Sequence, residues 1–196
     1  MDAAPPPPTT GTPATGRLLV AAPALGDPNF ERAVVLLLEH GDDGSLGLVL
    51  NRPSDLDVAE PLPRWSRFTP DPAVVFVGGP VSRNSVIALA TAVVDGPALP
   101  RPAFEPLLGA LGVLDLSADP DLLGGGIDEV RVFAGYAGWG AGQLVGELDD
   151  GAWYVVDGEA ADAVGATPAA LWHRVLARQG GTLARVARVP ADPRVN

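Results

Sequence analysis

The apolar residues of this chain come in short runs, and that spacing limits the fold more than any other feature of the sequence. Residues 34–38, among the longest runs, span only one β-strand. A helix that crosses a bilayer needs roughly 20 such residues. Gly, Pro and Asp separate the runs, as in strands joined by turns. The pattern predicts an α/β protein of α+β character, a compact mixed β-sheet with hairpins flanked by short helices.

Two of the runs form a predicted hairpin. Residues 33–39 and 46–50 are rich in Val and Leu, and the turn between them contains Gly41 and Gly44. Residues 33–38 are apolar on both faces, which predicts a central strand covered by helices. A second hairpin is predicted between 73–77 and 85–94. Further strands are predicted at 17–22, 113–116, 129–134, 153–156 and 183–189.

The clearest predicted helix is amphipathic and close to the C-terminus. Thr167 is its predicted N-cap and Pro168 its first residue. Apolar side chains at Leu171, Trp172, Val175 and Leu176 form one stripe, and Gly180 or Gly181 ends the helix. Shorter helices or helical turns are predicted at 28–32, 104–111, 119–123 and 143–149. The Pro-rich residues 54–72 are predicted to be a long surface connection with at most a short helix near Trp65.

The two ends of the chain differ from its body. Residues 1–15 are mainly Pro, Thr and Ala, without the basic start or apolar stretch of a signal peptide. We therefore expect a disordered tail at 1–15, a single domain at 16–189, a flexible C-terminus at 190–196 and a cytoplasmic location. The 196 residues, 47% of them apolar, are enough to bury a substantial core.

The charge of the chain argues against several partners. Twenty-four acidic residues outweigh 13 basic ones, giving a formal net charge of −11. That field repels nucleic acid and anionic membranes, so we expect neither as a partner. A protein partner of unknown identity remains open, as does the oligomeric state.

The residue types that are missing from the chain exclude most standard catalytic mechanisms. The chain has no Cys and no Lys, and it lacks a Gly-x-Ser-x-Gly nucleophile elbow. Its two histidines, His40 and His173, are interpreted as a structural hydrogen-bonding residue and a partly exposed helix residue. Paired aspartates at 42–43 and 149–150 lie beside Gly, as in turns. We expect no metal, no cofactor and no catalytic residue, although an enzyme is not excluded.

The glycine-rich residues 135–142 lie between a predicted strand and a predicted helix, where a dinucleotide-binding loop would lie. The motif is incomplete, because Gln143 and Val145 stand where its third Gly or Ala belongs. Close backbone packing with an aromatic corner of Tyr136 and Trp139 is the favoured interpretation. An exposed helix N-terminus there could also hold a small anion.

Several segments together resemble one family. They are GRLLVAAP at 16–23, DPNFERAV at 27–34, EH at 39–40, GLVLNRP at 47–53, GGPV at 78–81 and GYAGWGAGQL at 135–144, followed by Glu147 and Trp153. This order is similar to that of the YqgE/AlgH family. The resemblance implies a compact α/β fold in a bacterial cytosol and no established activity. That family usually has an acidic residue where Val145 stands, so any role of such a carboxylate is missing here.

Three functions remain open at this point. The first is a non-catalytic interaction or regulatory module. The second is a binder of a small molecule or anion, or an enzyme, with a site near the Gly-Gly-Pro and Gly-Tyr-Ala-Gly-Trp motifs. The third is a transcriptional regulator, which the negative charge and the absence of a recognisable helix-turn-helix disfavour. The candidate ligand-binding residues are Asn51, Arg52, Gly78, Gly79, Tyr136, Trp139, Gln143 and Glu147.

Overall fold

The structure is a computed structural model that describes residues 11–123 and 125–189. Most of the predicted N-terminal tail and the whole predicted C-terminal tail therefore lie outside the described residues. The strands are β1 Arg17–Ala21, β2 Val34–Gly41, β3 Gly44–Val49, β4 Pro53–Asp57, β5 Val74–Val77, β6 Val81–Ala92, β7 Phe104–Leu108, β8 Leu111–Leu114, β9 Ile127–Gly140 and β10 Trp153–Asp157. The helices are α1 Gln143–Asp149, α2 Ala160–Val164, α3 Leu171–Gln179 and α4 Gly181–Val186. Short 3₁₀ turns lie at Ser66–Phe68, Pro120–Leu123 and Pro168–Ala170.

The strands form one curled, largely antiparallel sheet of ten strands, in the order β10-β1-β2-β3-β9-β6-β8-β7. The pair β5–β9 is parallel, and β4 pairs with β5. The sheet curls far enough for β7 to approach β1: a Cβ added to Gly16 would lie 3.3 Å from the Leu107 carbonyl oxygen. This architecture confirms the predicted fold class.

Strand β2 is buried on both faces, as its uninterrupted apolar sequence predicts. Val34 and Leu36 pack in one cluster with Trp172 of α3. On the other face, Val35 packs in a cluster with Trp139. The alternation of a strand thus sends neighbouring residues into two separate cores. Short helices cover both of them, because α1 contributes to the second cluster.

The predicted C-terminal helix is confirmed over Leu171–Gln179. Its apolar stripe is buried, and the Trp172 indole N–H donates to the Ala21 carbonyl oxygen at 2.8 Å. Thr167 is the N-cap of the 3₁₀ turn Pro168–Ala170 that precedes the helix, with Pro168 first as predicted, but it does not cap through its side chain. Thr167 makes no side-chain bond to the helix backbone, and its hydroxyl instead accepts a hydrogen bond from Arg174 at 3.2 Å.

Several local predictions are wrong for identifiable reasons. Residues 104–111 form strands, not a helix, and Pro106 is tolerated because β7 is an edge strand. Residues 183–189 begin in helix α4, where Leu183 and Ala187 turn inward at helical spacing. The predicted hairpin of 73–77 with 85–94 does not form, since Ala134 of β9 pairs with both β5 and β6, on opposite sides. Strand β4 and helix α2 lie where no regular element was predicted.

Arg131 on β9 is the largest buried charged side chain, with 1% of its surface exposed. It lies over the Phe76 ring, 4.4 Å from the ring centroid. Burial lowers its pKa to about 10, so it stays protonated at neutral pH. Its guanidinium donates to five backbone carbonyl oxygens, those of Pro70, Asp71, Pro72, Val164 and Gly165. One side chain therefore ties β9 to the segment before β5 and to the end of α2.

Candidate binding surface

The glycine-rich segment leads into a buried aromatic corner. Residues 135–140 are not a loop but the end of β9, of which residues 137–140 pair with β3. Trp139 is only 5% exposed, and its ring stacks on Phe30 and meets Trp153 edge to face. A strand in this place leaves no loop to wrap a pyrophosphate, and the burial of Trp139 indicates a packing role.

Glu147 organises this corner. Its Oε2 atom accepts hydrogen bonds from the indole N–H groups of Trp139 at 2.9 Å and Trp153 at 2.8 Å. Its Oε1 atom accepts from the Gln143 amide at 3.0 Å, and Gln143 in turn accepts from the Gly140 N–H at 3.1 Å. The polar groups of Gln143 and Glu147 are thus engaged in hydrogen bonds with other residues of the chain, although Gln143 itself is exposed.

The two glycine motifs meet at a backbone crossing. A Cβ on Gly78 would lie 2.3 Å from the Gly135 carbonyl oxygen, and one on Gly79 would lie 2.1 Å from the Tyr136 carbonyl carbon. Gly79 also has a positive φ of 156°. Both motifs therefore use glycine so that β9 and the β5–β6 connection can touch. The half-buried Tyr136 packs against the core beside this crossing.

Asn51 and Arg52 hold the turn at residues 28–32. The Asn51 side chain accepts from the Val34 N–H at 3.0 Å and donates to the Arg32 carbonyl at 2.9 Å. Arg52 donates to the Glu31 carbonyl oxygen. Arg32 has a φ of 50°, a left-handed conformation rare outside glycine; Asn51 bonds to its carbonyl and to the N–H of Val34, and Arg52 bonds to the carbonyl of the residue before it.

Beside this turn lies a small cavity of about 240 Å³, here called the arginine cavity. Two arginines from different segments, Arg52 and Arg83, line it together with Asn29, Gly79 and apolar groups that include Val49 and Val77. Burial lowers the pKa of the Arg52 guanidinium below its usual value, while the Glu31 carboxylate opposes that shift. The lining contains no acidic residue among those the structure describes.

A larger depression, here called the apolar groove, has a volume of about 740 Å³ and lies on one face of the sheet. It is lined by Leu56 of β4, Val75 of β5, Val132 of β9, Val86 of β6 and Leu114 of β8. Leu56 is 43% and Val86 53% exposed. These five strands are neighbours in the sheet, so at about 4.8 Å per strand the groove is roughly 19 Å across.

A model of the AlgH-like family matches residues 18–184. The chain belongs to the AlgH-like family. A relative from Streptomyces coelicolor is 55% identical over 185 residues, covering 93% of this chain and 95% of the relative. One from Mycobacterium tuberculosis is 40% identical over 177 residues, covering 90% and 88%. The family prediction made from the sequence motifs is confirmed.

Two solved structures share the fold of this AlgH-like chain. The crystal structure of a Corynebacterium diphtheriae protein has a TM-score of 0.86 at 29% identity, covering 92% of this chain and 95% of that one. The solution structure of AlgH from Pseudomonas aeruginosa has a TM-score of 0.64 at 30% identity, covering 93% and 98%. Both structures support the fold class.

The eight predicted binding residues of this AlgH-like chain fall into separate places. Arg52 and Gly79 line the arginine cavity, with Asn51 buried close by. Gly78 and Tyr136 lie at the backbone crossing, whereas Trp139, Gln143 and Glu147 form the aromatic corner. Ligand contact by any of them stays a prediction. Arg83, Leu56 and Val86 were not singled out from the sequence, because only the folded sheet brings them to one surface.

Each histidine of the AlgH-like chain lies within hydrogen-bonding distance of one side chain. His40 Nδ1 lies 2.7 Å from the Ser45 hydroxyl across the β2–β3 hairpin, and His173 Nε2 lies 3.0 Å from an Arg32 nitrogen. Within residues 11–123 and 125–189, no group of three or more His, Cys, Asp and Glu side chains could hold a metal ion. In the same ranges, no helix has both the length and the apolar character needed to cross a membrane.

Replacing Glu147 with Ala should lower the free energy of unfolding by about 2 kcal/mol, because two buried indole donors lose their acceptor. Tryptophan emission should also shift to longer wavelength as water reaches the corner. Urea unfolding followed by fluorescence measures both effects. Asp149→Ala, an exposed carboxylate on the same helix, is the control and should change stability by less than about 0.5 kcal/mol. Equal effects from the two variants would contradict the role given to Glu147.

Proposed function

We propose that this AlgH-like protein is a non-catalytic interaction module of the cytoplasm that holds an apolar segment of a partner protein in the apolar groove. The exposure of Leu56 and Val86 inside that groove carries the proposal. Exposed apolar side chains that stand singly are ordinary, but a contiguous concave set marks an interaction site. The expected occupant is a segment with apolar side chains and one acidic group.

The acidic group expected on the partner segment is inferred from the charged side chains of the groove. Asp115 and Arg83 are its two charged side chains among the described residues. The Asp115 carboxylate already accepts the Ser117 backbone N–H at 2.8 Å. Arg83 is exposed and has no hydrogen bond or ion pair to any residue within 11–123 and 125–189. A carboxylate on the partner would therefore complement Arg83.

The proposal is tested by parallel selection of random 15-residue peptides on the wild type and on Val86→Asp. Peptides of this length can cross the groove in extended or helical form. Wild-type selection should enrich peptides that combine apolar residues with Asp, Glu or a terminal carboxylate. Val86→Asp should weaken their binding at least tenfold, about 1.4 kcal/mol, because it places a charge on the apolar floor.

The matched control is Val94→Asp, the same substitution at a valine that is 79% exposed and does not line the groove. It should change peptide affinity less than twofold. Because Val86 is itself more than half exposed, Val86→Asp should fold normally, and circular dichroism checks this. If the wild type enriches no peptide family that Val86→Asp loses, the proposal is wrong.

A further inference from the structure

We propose that the arginine cavity binds a small oxyanion, a phosphate or carboxylate group, between Arg52 and Arg83. Arg83 lines both the arginine cavity and the apolar groove, but this inference goes beyond the interaction module, because an anion between Arg52 and Arg83 does not require a peptide in the groove. Its volume of about 240 Å³ lies below the range of roughly 300–1,000 Å³ usual for drug-sized ligands. A single charged group is the kind of occupant that such a space admits.

The donors of the cavity are suited to oxyanions. Each guanidinium carries five N–H donors in a planar fork that matches the spacing of carboxylate or phosphate oxygens. The contacts recorded for Arg52 use its Nη atoms on the backbone carbonyls of Asn51 and Glu31. Those contacts fix the side chain while leaving N–H groups for a ligand. Arg83 comes from the start of β6, so a bound oxyanion would join two separate segments.

The two arginines of the cavity have no acidic partner. Although the net charge is −11, Arg52 and Arg83 have no carboxylate within ion-pair distance among the described residues. Six other described arginines pair with acids, whereas Arg32, Arg131, Arg185 and Arg188 do not; the six are Arg17, Arg64, Arg67, Arg101, Arg174 and Arg178. The nearby Glu31 interacts with Arg52 through space but does not line the cavity.

The apolar walls of the arginine cavity strengthen its preference for an anion. Val49, Val77 and three prolines surround the two guanidinium groups. Apolar walls lower the local dielectric constant, so a charge-assisted hydrogen bond formed there is stronger than one in open water. A desolvated guanidinium such as that of Arg52 gains most from an anion, because its lost hydration is replaced.

The test is an NMR titration at low ionic strength with three probes, namely inorganic phosphate, acetate and O-phosphoserine. Phosphate and acetate separate phosphoryl from carboxylate recognition. O-phosphoserine reports whether the group is also accepted when it belongs to a larger molecule. At least one probe should give saturable shifts of the Asn29 and Gly79 amides, with a dissociation constant of about 1 mM or lower.

Arg83→Gln should weaken the probe that binds at least fivefold, and it should fold normally because Arg83 is exposed. Arg185→Gln is the matched control, since it removes the same charge from an exposed position on α4 and should change affinity less than twofold. Arg52→Lys should also weaken binding, because Lys keeps the charge but loses the fork. Absence of saturable shifts, or equal weakening by Arg83→Gln and Arg185→Gln, would overturn the proposal. Val86→Ala, which removes apolar surface from the groove without adding a charge near Arg83, should leave the titration unchanged, and this separates the result from that of the apolar groove.

Discussion

Arg131→Met is expected to lower the free energy of unfolding by about 3–5 kcal/mol, the largest loss we predict for this protein, because more than one backbone carbonyl loses its donor. Methionine fills much of the same space and removes the buried charge. It cannot replace the donors, however, and the five carbonyl oxygens that Arg131 satisfies belong to the backbone. No single substitution removes them, so the variant leaves several without a donor, among them the buried Val164 oxygen, although the Pro72 oxygen keeps the Val74 N–H.

The measurement is thermal and urea unfolding of the two proteins side by side. For a chain of this size the expected loss lowers Tm by roughly 10 °C. Arg185→Met, at an exposed position on α4, is the control and should shift stability by less than about 0.5 kcal/mol. Arg131→Lys should recover little of the lost stability, because one ammonium group cannot reach both the segment before β5 and the end of α2. A Met variant as stable as the wild type would show that the network contributes specificity alone.

Gly79→Ala is expected to cost about 3 kcal/mol, combining backbone strain with overpacking. The positive φ of 156° disfavours any residue with a Cβ. The added methyl would also meet backbone atoms of Tyr136 and Ala137 at 2.1 to 2.4 Å. Because these are backbone atoms of a central strand, a side-chain rotation cannot relieve the contact, and β5, β6 or β9 must shift.

The control, Gly146→Ala, has an effect of opposite sign. Gly146 lies in helix α1, where an added Cβ meets nothing within 4 Å. Alanine should stabilise this helix position by about 0.5–1 kcal/mol. Chemical unfolding of both variants measures the difference. A Gly79→Ala protein within 1 kcal/mol of the wild type would contradict the tight crossing between the two glycine motifs.

Local patterns predicted much of the fold. The run at 33–39 and the turn after it fix a strand and a hairpin, since both signals lie within a few residues. Residues 104–111 and 183–189 were misassigned because their patterns fit more than one element. In α4, the spacing of Leu183 and Val186 also suits a helix, and packing against α3 decides the outcome. The glycines of β9 give a sequence pattern typical of a loop. They lie instead in a strand whose backbone passes close to the β5–β6 connection.

The candidate site was harder to predict, because side chains suited to ligands are also suited to internal hydrogen bonds. Gln143 and Glu147 illustrate this, since their bonds go to Gly140 and to the two tryptophans. The apolar groove was missed for a different reason. Its five strands are spread from Leu56 to Val132 in the sequence, and no local pattern records that they share one face.

The most direct test of the proposed function is an NMR titration of methyl-labelled protein with a peptide selected on the wild type. We predict saturable shifts of the Leu56, Val86, Leu114 and Val132 methyl groups, with the exposed Val94 and Val145 methyl groups unchanged. Shifts centred on Val94 or Val145, with the groove methyl groups unmoved, would contradict binding in the apolar groove.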